Sequence, residues 1–312
     1  MNIHTIILAA GEGSRMKSKR AKSLQRVGGK TMLEMICKTA GSISTKITLI
    51  VGFDKNSIIN ESKSFDFEIS TCEQASPIGT GDAVKCGINE VDDADKVLVL
   101  YGDVPLIKKE TLENLVSTDD KSLTILSTKV DNPFGYGRVK KDNDGNVTQI
   151  IEEKDASNAD KKISEIFTGI LCCNKVLLAE ALKEIKNDNA AGEYYLTDIV
   201  SIINKKGFKI KTCVVPNEEV KGANTKKELS ELEETFRKMK SEDLLEMGIT
   251  VSDPNRVDVR GEVSAGTDCN IDVNVILDGV VKLGDNVSIG PNTILKDVEI
   301  GNNTSIEAFS HL

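Results

Sequence analysis

Tryptophan is absent from this chain, and histidine occurs only as His4 and His311, one near each end. Two imidazoles at opposite ends of the chain argue against a His-based catalytic triad or a multi-histidine zinc site. No stretch approaches the roughly 18 consecutive apolar residues of a membrane span, so no integral membrane association is expected. The N-terminal MNIHTIILAAGEGSRM has one short apolar run and no basic lead-in; it does not read as a signal peptide. Metal-type cysteine pairs are lacking too. The seven cysteines stand at 37, 72, 86, 172, 173, 213 and 269. An odd, scattered set reads as reduced thiols in a cytoplasmic protein, with the adjacent Cys172 and Cys173 as strand residues in a core. A basic excess is missing as well: the formal net charge is −9. Nucleic acid, which demands a cationic face, is therefore not an expected partner. A small polyanion remains within reach of local cations, main-chain N–H groups and a metal ion.

What is present is a folded chain long enough for one large domain and a smaller one: 312 residues, 39 % hydrophobic and 29 % charged. Short apolar strands are predicted at Ile3–Ala9, Ile47–Val51 and Val97–Leu100. Helices are predicted from Met32 to Ala40, where the apolar residues fall on one face, and over Thr80–Ile88. This alternation points to a Rossmann-like, mostly parallel α/β sheet covered on both faces. Ligands of such sheets sit beyond the C-terminal strand ends, and two glycine-containing loops, after Ala9 and after Leu100, occupy such ends.

Further along, strands are predicted at Leu123–Lys129, Val147–Glu152 and Glu165–Cys173, and helices at Val176–Ile185 and Thr197–Asn204. They read as a subdomain with antiparallel elements. A long helix follows, with Thr225 and Glu228 as a capping box and Leu229, Leu232, Phe236 and Met239 as its apolar stripe. The last segment changes period. Ile271, Leu277, Leu283, Ile289 and Leu295 stand six apart, and Ile300 and Ile306 continue after a one-residue slip. Small or β-branched residues, Val275, Val281, Val287, Thr293 and Thr304, lie two positions before the next aliphatic. Such hexads build a parallel β-helix with the repeated aliphatic toward its axis. The expected division is residues 1–224, a connector helix at 225–250 and an incomplete β-helix at 251–312. The repeat runs to Leu312 without a polar cap, which reads as a truncated chain.

The leading chemical signal is Leu8-Ala9-Ala10-Gly11-Glu12-Gly13-Ser14-Arg15-Met16 after the first strand. Gly11 and Gly13 let the backbone approach a phosphate closely, and successive N–H groups can cradle its oxygens. Arg15 adds a forked cation, and Lys22 a second one. The dinucleotide fingerprint is broken by Met16, and the Lys-Ser/Thr of a Walker loop is missing.

Further motifs follow in order: Gln74 with Gly79-Thr80-Gly81, Tyr101-Gly102-Asp103, Gly135-Tyr136-Gly137-Arg138, Gly192-Glu193-Tyr194-Tyr195-Leu196-Thr197-Asp198 and the hexapeptide tail. Taken together, they make the chain resemble the bacterial bifunctional N-acetylglucosamine-1-phosphate uridylyltransferase/glucosamine-1-phosphate acetyltransferase family, from Ile6 onward. The resemblance implies a nucleotidyltransferase domain followed by a connector and a left-handed β-helix. It implies UTP and a sugar 1-phosphate as substrates, Mg²⁺ as cofactor and a homotrimer as assembly. By position, Leu8, Ala9, Ala10, Gly11, Gly13, Lys22, Gln74, Gly79 and Thr80 would hold the nucleotide. Tyr101, Gly102, Asp103, Gly137, Glu152, Phe167, Thr197 and Asn224 would stand on the sugar side. Asp103 and Asn224 would be the metal ligands, and Arg15, Lys22 and Asp103 the catalytic set. A carboxylate and an amide oxygen suit Mg²⁺, which keeps several waters and takes phosphate oxygens. The sugar phosphate is its own nucleophile, so the reaction needs no Ser, Cys or His, and catalysis would be positioning with charge neutralisation.

Some positions depart from the family pattern. Phe167 stands where the family has a sugar-contacting Asn, and a phenyl ring offers none of the amide's hydrogen bonds. Ala21 replaces the proline before Lys22, which is expected to loosen the loop. Asp82 replaces a histidine and should begin a helix, where a negative charge is favourable. Ser14 for Thr is a minor change. These departures bear on the identity of the sugar more than on the reaction. The family's acetyltransferase site would lie beyond Leu312, so no acetyl transfer is expected from this polypeptide. Two other readings stay open on the sequence: a related pyrophosphorylase for another sugar or nucleotide, and a non-catalytic assembly scaffold.

Overall fold

The computed structural model of the protein describes residues 2–92, 94–117 and 122–312. The chain divides into two compact units. One comprises residues up to Gln25 together with Met32–Thr225; the other comprises Arg26–Thr31 together with Lys226–Leu312.

The first unit is built on a nine-stranded sheet. Its strands are β1 (Ile3–Leu8), β2 (Lys46–Val51), β3 (Ile69–Glu73), β4 (Lys96–Tyr101), β5 (Leu123–Lys129), β6 (Arg138–Lys141), β7 (Val147–Ile151), β8 (Glu165–Asn174) and β9 (Ile210–Val214). The main order is β9-β5-β8-β4-β1-β2-β3, with the β6–β7 hairpin attached to β8. The β1–β2, β1–β4, β2–β3 and β5–β9 pairs are parallel, whereas β8 runs antiparallel to β4 and β5. Successive side chains alternate between two apolar clusters. Ile6, Val97 and Val99 belong to one cluster, and Ile7, Leu98 and Leu100 to the other. Both faces are covered, which explains why these strands read as unbroken apolar runs. Cys173 and Cys172 follow the same alternation and are both buried.

Helices follow the predicted positions closely: α1 (Met32–Gly41), α3 (Thr80–Ile88), α5 (Lys175–Glu184) and α6 (Asp198–Lys205), with α2 (Lys55–Ser62) and α4 (Lys109–Val116) in addition. Asn174 caps α5 by accepting from the Val176 and Leu177 amides at 3.0 and 3.2 Å.

In the second unit, helix α7 (Lys226–Glu246) buries Leu232 and Leu244, with Phe236 and Met239 half-buried. The expected division assigned the Arg26–Thr31 segment to the nucleotide domain, but this hairpin groups with α7. The Gly28 amide donates to Glu233 Oε2 at 2.9 Å, and a Cβ on Gly28 would overlap the Phe236 ring. The hexads form a parallel β-helix. One sheet stacks Thr250–Val251, Asn270–Ile271, Ser288–Ile289 and Ser305–Ile306; another stacks Val257–Ala265, Val275–Leu283 and Ile294–Ile300. Residues on neighbouring coils lie 18 apart, as in the Thr267–Asp285 bond, so three hexads make one turn. The one-residue slip appears as a coil of 17, as in the Asn286–Asn303 bond. The ladder register shifts between Asp278 and Val281. The repeated aliphatics Ile271, Leu277, Leu283, Ile289, Leu295, Ile300 and Ile306 are all buried, as axial positions must be.

Candidate active site

The central cleft forms where parallel strands end side by side. Leu8 and Tyr101 are register partners, and the Gly102 amide continues the ladder to Leu8 O at 3.0 Å. The two glycine-containing loops are thereby brought together. The cleft, about 260 Å³, is lined by Leu8, Ala9, Ala10, Gly11, Lys22, Gln74, Gly79, Thr80, Tyr101, Gly102 and Asp103 among the residues singled out from the sequence. Ser23, Pro77, Ala83 and Glu193 complete its wall.

Lys22 holds the centre of this site. Its ammonium lies 2.5 Å from Asp103 Oδ2 and donates to Asn224 Oδ1 at 3.0 Å. A carboxylate 81 residues and an amide oxygen 202 residues beyond Lys22 in sequence therefore converge on one cation. The donor set and its convergence fit a small divalent ion with two protein oxygen ligands. Gly222 keeps this corner open, since a Cβ there would stand 3.1 Å from Asp103 Oδ2. Gly13 does the same behind Lys22, with a Cβ 3.0 Å from the lysine Cβ.

The loop before Lys22 is pinned rather than loosened. Ala21 sits at φ −52°, close to the proline value. Its N–H, which proline would lack, donates to Asp54 Oδ2 at 3.0 Å.

Gln74 is buried, and its amide donates to Gly79 O at 3.1 Å and to Asp82 Oδ2 at 2.8 Å. Asp82 does lie in the first turn of α3, and it also orients the Gln74 amide. Gly79 has φ +125°, and a Cβ there would overlap Tyr194 O, so a side chain would meet both backbone strain and a steric block. The Gly81 amide donates to Tyr194 O at 2.8 Å, and Tyr194 N donates to Ile78 O at 2.8 Å. Two segments far apart in sequence are thus zipped into one wall.

A second, polar cleft of about 350 Å³ lies in the same unit and is lined by Glu152, Asp155, Tyr195, Thr197 and Asp198 among others. Thr197 Oγ1 donates to Glu152 Oε1 at 3.0 Å. Burial pushes the Glu152 carboxyl above its ordinary value, and nearby carboxylates push the same way. Burial also raises the Asp198 carboxyl, and it lifts the Tyr195 phenol to about 12. Burial, then the charge of Glu152, raises the Tyr101 phenol, so Tyr101 is a neutral hydroxyl at physiological pH. The neighbouring Glu153 takes the structural part: it pairs with the buried Arg138 at 2.5 Å. Gly137 lies beside Glu152, where a Cβ would stand 3.6 Å from both carboxylate oxygens.

Two expected site residues lie elsewhere. Phe167 is buried in the apolar cluster on one face of the sheet and lines neither cleft. It touches the site through its backbone, donating to Gly137 O at 2.8 Å. An aromatic ring gains more from apolar contacts than from a polar wall. Arg15 is exposed on the short turn Ser14–Met16 and is not part of the cleft wall. Of the wall residues missed in the sequence, Glu193 lay inside a recognised motif; Ser23, Pro77 and Ala83 carried no signal of their own.

Comparison with known proteins bears on the family and the fold. The MobA-like NTP transferase domain family matches residues 5–188, and the bacterial transferase hexapeptide (six repeats) family matches residues 280–312. The bifunctional protein GlmU of Psychrobacter sp. (strain PRwf-1) is 43% identical over 298 residues, covering 95% of this chain and 65% of that protein. GlmU of Dechloromonas aromatica is 40% identical over 312 residues, covering 100% of this chain and 68% of that protein. GlmU of Neisseria meningitidis serogroup B is 40% identical over 311 residues, covering 99% and 68%. The chain thus spans about two thirds of the length of these relatives. For the fold, a putative glucose-1-phosphate thymidylyltransferase from Bacillus anthracis, solved with a sucrose, superposes with a TM-score of 0.60 at 22% identity, covering 74% of this chain and 94% of that one. The chain belongs to the MobA-like NTP transferase domain family and to the family of the bifunctional GlmU proteins.

Proposed function

We propose that this protein is a uridylyltransferase that joins N-acetylglucosamine 1-phosphate and UTP, giving UDP-N-acetylglucosamine and pyrophosphate for cell-envelope precursor synthesis. The observation that carries this reading is the Lys22 ammonium held between Asp103 and Asn224 at the mouth of a strand-end cleft. The triphosphate would lie against the Leu8–Gly13 loop, with Lys22 on its phosphates. Gln74 has both amide hydrogens engaged by Gly79 and Asp82. Its carbonyl oxygen is left to accept from a pyrimidine N3–H, which uracil has and cytosine lacks. Thr80 and the neutral Tyr101 would border the ribose and sugar. Glu152, oriented by Thr197, would accept from sugar hydroxyls, with Gly137 leaving room beside it.

A phosphate oxygen of the sugar 1-phosphate would attack the α-phosphorus in line, and the bond to pyrophosphate would break. The chain's part is alignment and charge neutralisation. Arg15, exposed in this structure, would reach the triphosphate once it is bound. Asp103 and Asn224 would hold Mg²⁺, which supplies charge neutralisation to the phosphates when bound. The β-helix unit would mediate a homotrimer. The free cysteines accord with a cytoplasmic location, and among the described residues no helix is long and apolar enough to cross a membrane.

A second reading rests on Phe167. Its ring lies in the core rather than on a cleft wall, so another sugar 1-phosphate could be preferred. The test is pyrophosphate release across a panel of sugar 1-phosphates and nucleoside triphosphates, with and without Mg²⁺. The proposal expects fastest turnover with N-acetylglucosamine 1-phosphate and UTP, dependent on the ion. Faster turnover with another pair would favour the second reading, and no release with any pair would remove both.

A further inference from the structure

We infer that Asp82 is a specificity-determining positioning residue: its carboxylate locks the Gln74 amide with the carbonyl oxygen toward the nucleotide cleft, so that the site selects a base carrying an N3–H, such as uracil, over cytosine. The lock itself rests on geometry. Its effect on base choice rests on the function proposed above.

Gln74 is only 5% exposed, so its amide depends on protein partners. Its Nε2 donates to Asp82 Oδ2 at 2.8 Å and to Gly79 O at 3.1 Å. A side-chain amide can be turned over where its neighbours both donate and accept. Here neither neighbour donates, since a carboxylate and a main-chain carbonyl only accept. Turning Gln74 over would set its oxygen against two other oxygens. Asp82 contributes the closer of the two contacts, and it is the one that a substitution can remove.

The lock joins a strand end to a helix start. The Gln74 N–H continues the ladder past β3 by donating to Val51 O at 2.9 Å. Gly79 stands just before α3, and its carbonyl also accepts from the Ala83 amide at 3.2 Å. Asp82 lies in the first turn of α3, where the helix favours negative charge. Gln74 and Ala83 line the cleft, whereas Asp82 is not part of its wall. The carboxylate therefore acts through the amide.

The base then meets an acceptor of fixed direction. Uracil presents an N3–H between two carbonyls, and the Gln74 oxygen accepts from it. Cytosine presents a bare N3, whose lone pair would face that oxygen. A turned amide would offer an N–H instead and reverse the match. Fixed polarity discriminates because the wrong base leaves a buried polar group unpaired. The lock is a feature of this chain: the family pattern has histidine at this position, and a neutral imidazole donates as well as accepts.

The test has two readouts. The chain has three glutamines, Gln25, Gln74 and Gln149. Cell-free labelling with nitrogen-15 glutamine therefore gives three side-chain amide pairs, and the Gln74 pair is the one lost in Gln74→Ala. Hydrogen exchange of that pair is followed by NMR in the unsubstituted protein, Asp82→Asn and Asp82→Ala. Affinities for UTP and CTP are measured in the same proteins by calorimetry. The Gln74 pair should exchange about tenfold faster in the variants. The UTP-to-CTP affinity ratio should fall about tenfold, through weaker UTP binding without a matching loss for CTP. Either variant decides if the other misfolds. Unchanged exchange would overturn the lock. An unchanged ratio, including equal weakening of both nucleotides, would overturn the role in specificity. An unsubstituted protein that binds neither nucleotide would overturn the proposed function and the base choice that rests on it, while the exchange readout decides the lock by itself.

Discussion

The β-helix unit and the sheet unit bury apolar residues in the same way but dispose of polar ones differently. In the coil, polar turn residues pair with the equivalent position one turn away: Asn274 Nδ2 donates to Asn292 Oδ1 at 2.8 Å, and Asn286 Nδ2 to Asn303 Oδ1 at 3.0 Å. Asn274, Asn286, Asn292 and Asn303 also sit at positive φ, where Asn is tolerated. In the sheet unit, unlike groups from distant segments meet at strand ends. Lys22, Asp103 and Asn224 are the clearest case. A regular repeat satisfies its polar groups periodically, which builds a scaffold. An interrupted sheet gathers polar groups that no local rule pairs, which builds a site.

The strongest challenge to that contrast is Asp103→Ala. Turnover is expected to fall about 10³-fold or more, roughly 4 kcal/mol of transition-state stabilisation, with the circular dichroism spectrum unchanged. Retained turnover would mean that the convergent strand-end groups are not the site. Next comes Leu277→Ala in the coil axis, where the side chain is fully buried. It should cost about 2–5 kcal/mol, read as a lower urea midpoint, and leave UTP affinity unaltered. A matching loss of UTP affinity would break the division of labour between the units.

Phe167→Asn sharpens the contrast within the sheet unit. Replacing a buried ring with an amide should cost about 3 kcal/mol of stability, seen as a drop in thermal midpoint. Unchanged stability with a lower KM for the sugar phosphate would show that this position faces the sugar. The smallest effect is expected from Glu152→Gln, about a tenfold rise in sugar-phosphate KM, in line with losing a charged hydrogen-bond acceptor. The acid dependence should change with it. The wild-type carboxyl is raised by burial, so it binds its proton at a pH above the usual glutamate range and loses acceptor strength as pH falls. The Gln variant should keep only the titration of the substrate phosphate. Identical pH profiles for the two proteins would remove Glu152 from the sugar site.

Much of this protein is legible from one dimension. α3 spans Thr80–Ile88 and β5 spans Leu123–Lys129, as their apolar patterns predict. The hexad period located the coil axis and even the slip that becomes a 17-residue turn. The edge strand β3 was not foreseen, because Ile69–Glu73 has a single strong aliphatic among exposed polar residues. Phe167 was placed by resemblance rather than by chemistry. Its motif position pointed to the sugar, whereas its hydrophobicity drew the ring into the core.

Local order was thus set by the sequence itself: strand and helix periods, the glycine loops, the six-residue repeat and the shortage of imidazole. These depend on neighbours within a few positions, where side-chain spacing and backbone preference act directly. Other features emerged only in three dimensions: Lys22 bridging Asp103 and Asn224, Gln74 tied to Asp82, and the grouping of the Arg26–Thr31 hairpin with α7. Each joins side chains whose proximity depends on how whole elements pack. No local preference encodes that packing, because burial of the combined apolar faces decides it.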